Sequence, residues 1–380
     1  MAELNKIDRC YHCGCILQTE NEDEPGYISK EIIDKYPQGL LLCNNCFKNE
    51  RYNLTPKQND SLDEDYQKII DIIKKKNALV VYVVDVFSFE GSFVSKLNAE
   101  LNGLDVLAVA NKADLLPKNT DYNHVLEYVA HHLRVAKLNV VSTVLVSSNN
   151  GFNIDKMYEK IIELSKDRDV YFIGASESGK SVLIKEFLKR YKNNTNKPIV
   201  TYTFKDTKLR GFKIPISNTH YIYETPGFNP VNSILAKVDK QCANAITPSK
   251  SIVPVRKTLA NKNVLLLGGL ALIQLESNEK VALTIYTSEK VEVYKTFFND
   301  IKTAKNKLVK KKIKPVSSTF KEFSDFDGFD IEVTEEGNRD IGILGLGWIS
   351  FKANKQKFRI FIPRGTYIYT TREKVIYVNK

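Results

Sequence analysis

The chain has 380 residues and a mass of 43.3 kDa, too much for one compact core, so two or three domains are expected. With 43% hydrophobic and 27% charged residues it is ordinary globular material, which excludes a fibrous or disordered chain, and no apolar run approaches the ~20 residues of a membrane helix. The net charge of +11 is unevenly placed, because residues 241–380 hold 24 basic against 14 acidic side chains. Such a local positive field suits a polyanion, nucleic acid first among them, although the same lysines would also serve solubility.

The opening stretch Met1–Tyr11 mixes acids, bases and Cys10 without an apolar core. It does not read as a secretory signal, so a cytoplasmic protein is expected. In a reducing compartment, cysteines point to metal rather than to disulfides. Five of the six lie within the first 50 residues, and four of them form two Cys-x2-Cys pairs, Cys10 with Cys13 and Cys43 with Cys46, separated by 29 residues. Four thiolates fit a closed tetrahedral zinc site of the structural kind. Cys242 is remote and reads as a small buried side chain.

A helical stretch is expected from about Ser61 to Lys76, with Leu62, Tyr66, Ile69, Ile70 and Ile73 on one face. Continuous apolar runs follow at Ala78–Val86, Leu104–Ala110, Val140–Val146 and Val170–Ile173. Helical segments around His124–Ala136 and Ile154–Ser165 separate them. Strand–helix alternation with continuous apolar strands predicts a parallel sheet covered on both faces. From about Asn263 the texture changes to short strands with Gly-rich turns, plus one helix near Val293–Lys312.

The strongest motif is Gly174-Ala175-Ser176-Glu177-Ser178-Gly179-Lys180-Ser181, which follows the fourth run and opens a helix over Ser181–Tyr191. This is the P-loop pattern in its required strand–helix context. Its glycines let backbone N–H groups close around phosphates at a helix N-terminus. Lys180 is assigned to the β- and γ-phosphates and the Ser181 hydroxyl to magnesium. The base is specified by Asn111-Lys112-Ala113-Asp114, placed after the second run. A carboxylate at Asp114 accepts from guanine N1–H and the exocyclic amine, whereas adenine would leave it unpaired. Ser147 and Ser148, after the third run, stand where a backbone amide would meet guanine O6. Glu224-Thr225-Pro226-Gly227 supplies the switch-II box, and Gly227 is assigned to the nucleotide with the rest of the loop.

In an ordinary GTPase the P-loop comes first and the guanine box late. Here NKAD and Ser147-Ser148 precede the P-loop, and the Glu224 box follows it. That is a circular permutation, and the chain leaving switch II at Phe228 runs directly into the basic C-terminal part. Permuted boxes behind two Cys-x2-Cys pairs resemble the YqeH-like GTPases of bacterial ribosome assembly. The resemblance spans essentially the whole chain, through CYHCGCILQTE at 10–20, VVDVFSFEGS at 83–92, ANKADLLPK at 110–118, GGLA at 268–271, GLGW at 345–348 and PRG at 363–365. It implies GTP and GDP binding, GTP hydrolysis coupled to maturation of the small ribosomal subunit, and a C-terminal domain that binds rRNA or protein.

Against that pattern, Glu224 replaces the usual aspartate and reaches one methylene further. Glu177 stands where similar permuted GTPases carry an asparagine that helps bind a potassium ion, which leaves potassium an open cofactor. The family's switch-I Gly-Thr-Thr reads Asp206-Thr207-Lys208 here, so the magnesium-binding threonine is Thr207 only with a small shift. Phe228 takes the place of the water-orienting glutamine of Ras-like proteins. Nucleotide binding is expected, with hydrolysis weak or differently organised. In the C-terminal part, Lys302, Lys305, Lys307, Lys310, Lys311, Lys312 and Lys314 form an acid-free run, and Phe297, Ile301, Ala304 and Leu308 recur at helical spacing, which predicts a packed face opposite the lysines. Tyr367, Tyr369 and Tyr377, near Arg359, Arg364 and Arg372, are candidates for base stacking, with ordinary sheet packing as the alternative.

The expected architecture is α/β: a four-cysteine zinc module (1–55), a circularly permuted P-loop GTPase domain (56–240) and a basic, β-rich α+β domain (241–380), in a monomer without membrane contact. The leading reading is a GTPase acting on the small ribosomal subunit. A GTP-binding RNA scaffold with little hydrolysis is its first rival, and a P-loop ATPase or nucleotide kinase without RNA, against which NKAD speaks, is the second.

Overall fold

The computed structural model describes residues 17–22, 24, 26–35, 43–44, 64–92, 95–190, 197–228, 230–261, 263–297, 313–320 and 322–378. Cys10, Cys13 and Cys46 lie outside them, as does the lysine run from Lys302 to Lys312. The chain divides into two compact units. One comprises Lys57–Asn232, Ser249–Ile252 and Lys374–Lys380; the other comprises Met1–Pro56, Ser233–Pro248 and Val253–Glu373. The chain thus passes between units more often than a single boundary at 240/241 implies. A short helix, α1 (Lys30–Lys35), is the first element. No described helix is long and apolar enough to cross a membrane.

The α/β unit opens with α2 (Glu64–Lys75), which buries Tyr66, Ile69, Ile70 and Ile73. Its acids Glu64 and Asp65 stand in the first turn and Lys74 and Lys75 in the last, matching the helix dipole. Then come β1 (Leu79–Asp85), α3 (Ser95–Glu100), β2 (Asp105–Asn111), α4 (Tyr122–Val135), β3 (Asn139–Leu145), α5 (Ile154–Ser165), β4 (Val170–Gly174), α6 (Lys180–Arg190), β5 (Val200–Thr203), β6 (Arg210–Pro215) and β7 (Tyr221–Glu224). The sheet order is β3-β2-β1-β4-β7-β6-β5. Its first five strands are parallel, while β6 and β5 add an antiparallel edge. On one face Leu79, Val81, Val83, Leu107 and Val109 form a single cluster with Ile154, Met157 and Ile161 of α5 and Leu183, Ile184 and Phe187 of α6. Val80, Tyr82 and Val84, which alternate with them, are equally buried. Burial on both faces explains why these strands are continuously apolar.

Strand order reverses at β1, whose neighbours are β2 on one side and β4 on the other. Ligands of open α/β sheets bind at such a switch point, outside the carboxyl ends of the strands. Asp85 pairs with Asn111 across β1 and β2, and Phe172 with Glu224 across β4 and β7. The motif residues therefore gather at one end of the sheet.

The second unit is a β-sandwich. Helix α7 (Lys240–Ile246) precedes β8 (Val255–Leu259), β9 (Asn263–Leu267), β10 (Ala271–Leu275), β11 (Val281–Thr287), β12 (Val293–Phe297), β13 (Phe326–Glu332), β14 (Gly337–Ile343), β15 (Gly347–Ala353), β16 (Lys357–Pro363) and β17 (Ile368–Arg372). The sheets run β12-β9-β10-β16-β13 and β17-β14-β15-β11-β8, antiparallel throughout. Leu265, Leu267, Ile273, Ile360 and Ile362 of the first meet Leu283, Ile285, Ile341, Ile343 and Ile349 of the second in one core, which Cys242 and Ile246 of α7 complete. The GGLA and GLGW motifs lie at hairpin turns, between β9 and β10 and between β14 and β15.

The helix expected near Val293–Lys312 needs correction at its start. Val293–Phe297 (VYKTF) is strand β12, paired antiparallel with β9, as its β-branched and aromatic alternation favours. Phe297 is 58% exposed, so it belongs to no packed helix face. Beyond the lysine run, the Lys314 carbonyl accepts from the Glu292 amide at 2.8 Å and the Lys314 amide donates to the Glu292 carboxylate at 3.2 Å. Asp239 then caps α7 through the Cys242 amide (3.0 Å) and also takes the Ser318 amide (2.7 Å) and the Ser317 hydroxyl (3.0 Å). The Cys242 and Ser318 amides hold its carboxyl well below the ordinary range.

Cys242 is 1% exposed, and burial pushes its thiol up to about 12. A thiol of that kind carries almost no thiolate at neutral pH. Alkylating reagents are therefore expected to spare Cys242 in the folded protein and to label it after denaturation. Peptide mass spectrometry checks this, and native labelling at the rate of a free thiol contradicts it.

Candidate nucleotide site

The phosphate loop forms because β4 ends at Gly174 and the backbone must turn at once into α6. Ser178 closes the turn with its hydroxyl and amide on the Ala175 carbonyl, at 2.7 and 3.1 Å. Gly179 has φ +79°, and a Cβ there would lie 2.5 Å from Asn111 Nδ2, so both conformation and space require glycine. On the other side, Glu224–Phe228 runs alongside the loop. Ser176 N donates to the Phe228 carbonyl at 2.8 Å, and a Cβ on Gly227 would meet Ser176 Cα at 2.5 Å.

Lys180 is 4% exposed. Its ammonium donates to the Thr225 carbonyl and lies 3.5 Å from Glu224 Oε1, while the Ser181 hydroxyl donates to the same oxygen at 2.6 Å. Desolvation lowers the Lys180 pKa, and the Glu224 carboxylate opposes that shift. A hydroxyl and a carboxylate side by side beneath a phosphate cradle are a donor set that suits magnesium, which takes one or two protein oxygens beside phosphate and water.

The base end is organised by Asn111, which is completely buried. Its amide nitrogen donates to the Ser178 carbonyl at 2.8 Å and to the Ser148 hydroxyl at 3.2 Å, while its oxygen accepts from Ser148 N at 3.0 Å. Of the Ser147-Ser148 pair, expected from sequence to offer a backbone amide to guanine O6, the Ser148 amide thus donates to Asn111 here. Lys112 sits at φ +71° and sends its ammonium back to Asp85 at 2.6 Å. Asp114 accepts from the Ser147 hydroxyl at 2.5 Å and from Asn149 Nδ2 at 3.1 Å, so each carboxylate oxygen already meets a donor, as guanine would supply two. Glu177 lies at the exposed rim of the loop, where partial desolvation raises its carboxyl pKa, the Lys112 charge counteracts and Asp85 adds to the rise. Glu177 is therefore in electrostatic reach of the guanine-box lysine.

Switch I is a different matter. The Thr207 hydroxyl donates to the Phe204 carbonyl and accepts from Leu209 N, both at 3.0 Å, so its hydrogen bonds stay within its own turn. The Lys208 amide donates to Asp65 of α2 at 3.1 Å, and Lys68 of α2 reaches the Asp206 carbonyl at 2.9 Å. The Lys208 amide first, and then the Lys68 ammonium 3.1 Å from the Asp65 carboxylate, lower the Asp65 pKa. Among the described residues, no hydrogen bond joins Thr207 to Ser181 or Glu224.

Two residues were missed from sequence. Asp85 is the lone acid within the first apolar run, at the carboxyl end of β1, which is the signal that marks it. Asn149 follows Ser147-Ser148 as one more polar residue and carries no such signal. Of the tyrosine–arginine set of the C-terminal part, Tyr369 is buried and Arg359 is paired with Asp330 and Glu276 at 2.9 and 3.3 Å, which fits sheet packing. Tyr377, whose backbone bridges to Thr120, is 39% exposed, and Arg364 and Arg372 are exposed. Cys43, the one described member of the cysteine quartet, is buried. Among the described residues no cluster of three or more His, Cys, Asp or Glu could hold a metal ion.

The Asp85–Lys112 pair has a testable energetic role. Lys112→Met leaves a buried carboxylate without its cation and is expected to cost about 3 kcal/mol of stability. Adding Asp85→Leu should restore most of that loss. Denaturant unfolding of the four proteins in this cycle measures the coupling, and equal losses in the single and double variants contradict it.

The chain matches no protein-family model. It is 27% identical over 368 residues to the uncharacterized protein YqeH of Bacillus subtilis, covering 96% of this chain and 99% of that one. It is 26% identical over 393 residues to NO-associated protein 1, chloroplastic/mitochondrial, of Arabidopsis thaliana, covering 91% of this chain and 70% of the relative. Among solved structures, GNP-bound YlqF from T. maritima is 19% identical with a TM-score of 0.26, over 44% of this chain and 59% of that one. Over nearly its whole length, then, the chain is similar to YqeH, and its motifs stand in circularly permuted order.

Proposed function

We propose that this protein binds GTP and GDP, hydrolyses GTP and acts in assembly or maturation of the small ribosomal subunit. The observation that carries the nucleotide part is Asn111, whose one side-chain amide bonds both the P-loop carbonyl of Ser178 and the guanine-side Ser148. Phosphate loop and base-reading loop are thereby held in one register at the end of the sheet. The likeness to YqeH over 96% of the chain supports the reading. In it, Asn111, Lys112, Asp114, Ser147 and Ser148 serve the base; Gly174, Glu177, Ser178, Gly179, Lys180 and Gly227 serve the phosphates; Ser181 and Glu224 serve magnesium. The further parts of the proposal are a zinc module over 1–55 with Cys10, Cys13, Cys43 and Cys46 as ligands, a GTPase domain over 56–240 and a basic C-terminal domain over 241–380 that binds rRNA or ribosomal protein. The protein works as a cytoplasmic monomer, and switch II leads its chain into the C-terminal domain.

Thr207 favours a second reading, a GTP-binding RNA scaffold that hardly hydrolyses. Its hydroxyl is engaged in its own turn, and Lys208 and Asp206 are tied to α2. GTP turnover with magnesium, in potassium and in sodium, with and without small subunits, decides between the two. Turnover stimulated by subunits carries the first reading, and tight GTP binding without turnover carries the second. ATP that competes as well as GTP overturns both.

Two variants test the parts. Asp114→Asn is expected to weaken GTP binding by at least ~2 kcal/mol, about thirty-fold, because guanine donors lose their acceptor; unchanged affinity removes Asp114 from the guanine box. Replacing Lys310, Lys311 and Lys312 by Gln is expected to lower rRNA affinity and to flatten its salt dependence as fewer counterions are released. Filter binding over a salt series measures this, with GTP affinity as the control, and an unaltered slope returns these lysines to a role in solubility.

A further inference from the structure

The loop that carries Asp114 continues through Leu115–Asp121, and two other stretches of chain are fastened to that strip. The Ile252 amide donates to the Leu115 carbonyl and the Ser251 hydroxyl to the Leu116 carbonyl, both at 2.9 Å. A little further on, Asp121 N donates to the Ile376 carbonyl and Val378 N to the Asn119 carbonyl, again at 2.9 Å, flanking an antiparallel bridge between Thr120 and Tyr377. These are not loose surface contacts. Ile252 is 5% exposed and Val375 is fully buried, and the buried Lys374 ammonium lies 3.3 Å from Glu90, whose other oxygen accepts from Tyr128 of α4 at 2.8 Å.

Both stretches belong to the α/β unit, yet each is covalently continuous with the sandwich. Ser249–Ile252 is flanked by Pro248 and Val253, and Lys374 follows Glu373, all three residues of the other unit. The strip itself is rigidly joined to the base-reading carboxylate. Leu115 N donates to the Lys112 carbonyl at 2.9 Å and Leu116 N to the Ala113 carbonyl at 3.1 Å, so Asp114 lies inside the same single turn whose carbonyls Ser251 and Ile252 hold. Asp121 closes the other end by capping α4 through Asn123 N and His124 N.

We propose that Ser251, Ile252, Ile376 and Val378 are positioning residues for guanine recognition: they fix the Ala113–Asp121 loop so that Asp114 presents its carboxylate to the base, and through them base binding is transmitted to the chain segments that lead into the sandwich. The inference rests on the guanine-nucleotide reading of the site. It differs from a switch-II route in what it senses, which is the base and not the γ-phosphate. GDP and GTP therefore act alike on these segments, and pyrophosphate, which fills only the phosphate loop, does not act on them.

Hydrogen exchange of the full chain, followed by mass spectrometry with GDP, a non-hydrolysable GTP analogue or pyrophosphate, tests this. GDP and the GTP analogue are expected to slow exchange in 249–252 and 376–378 equally, with no effect of pyrophosphate. Ser251→Ala with Val378→Pro, which removes two donors to the strip, is expected to weaken GDP and GTP binding about five-fold and to leave pyrophosphate affinity unchanged. Protection that needs the γ-phosphate, or an equal loss of GDP and pyrophosphate affinity in the variant, overturns the proposal. If the wild-type chain binds ATP in place of GDP, the guanine reading fails first. If it binds GDP tightly and neither segment responds, the positioning role alone fails.

Discussion

One buried amide sets the geometry of the nucleotide site. Asn111 ends β2 with no exposed surface, and both polar atoms of its side chain are satisfied, by the Ser178 carbonyl, the Ser148 hydroxyl and the Ser148 amide. A buried amide left without partners would cost one to a few kcal/mol, so these bonds resist being broken singly. They also explain Gly179, since the amide occupies the space that a Cβ at that position would need. The phosphate loop, the guanine box and the serine pair after β3 are three separate pieces of sequence. Asn111 hydrogen-bonds across them, and in the proposed reading that holds in place the donors and acceptors that discriminate between bases.

Permutation leaves that arrangement intact because the sheet, not chain order, defines it. Strands β1, β2, β4 and β7 are neighbours whatever the sequence order of their loops, and their carboxyl ends deliver Asp85, Asn111, Gly174 and Glu224 to the same edge. What permutation changes is the set of segments that emerge from that edge. Switch II is followed immediately by residues of the sandwich unit, and the strip after Asp114 receives two segments on their way to and from it.

Much of the α/β unit was legible because its physical causes are local. Strands β1 to β4 fall within a residue or two of the continuous apolar runs, although β3, at the sheet edge, is only partly buried, and α5 coincides with its periodic stretch over Ile154–Ser165. The P-loop was readable from strand, glycines and helix together. Strands β5 and β6 were not, since an edge that is largely exposed carries weak alternation. The helix placed over Val293–Phe297 failed because a 3.6-residue pattern was extended back into a segment that pairs with β9. Pairings such as Lys112 with Asp85, or Asp114 with Asn149, depend on residues brought together from separate strands and loops. No one-dimensional pattern contains them. The hydroxyl of Thr207 is the converse case, where motif analogy points to a metal ligand and a local turn takes the oxygen first.

The two bonds between Glu292 and Lys314, with Asp239 gripping Ser317 and Ser318, bear on the lysines that lie between. Phe297 ends β12 and Lys314 is bonded beside the start of the same strand, so the described chain on either side of the lysines is anchored to the sandwich. Whatever binds those lysines acts against two anchors that folding has already ordered.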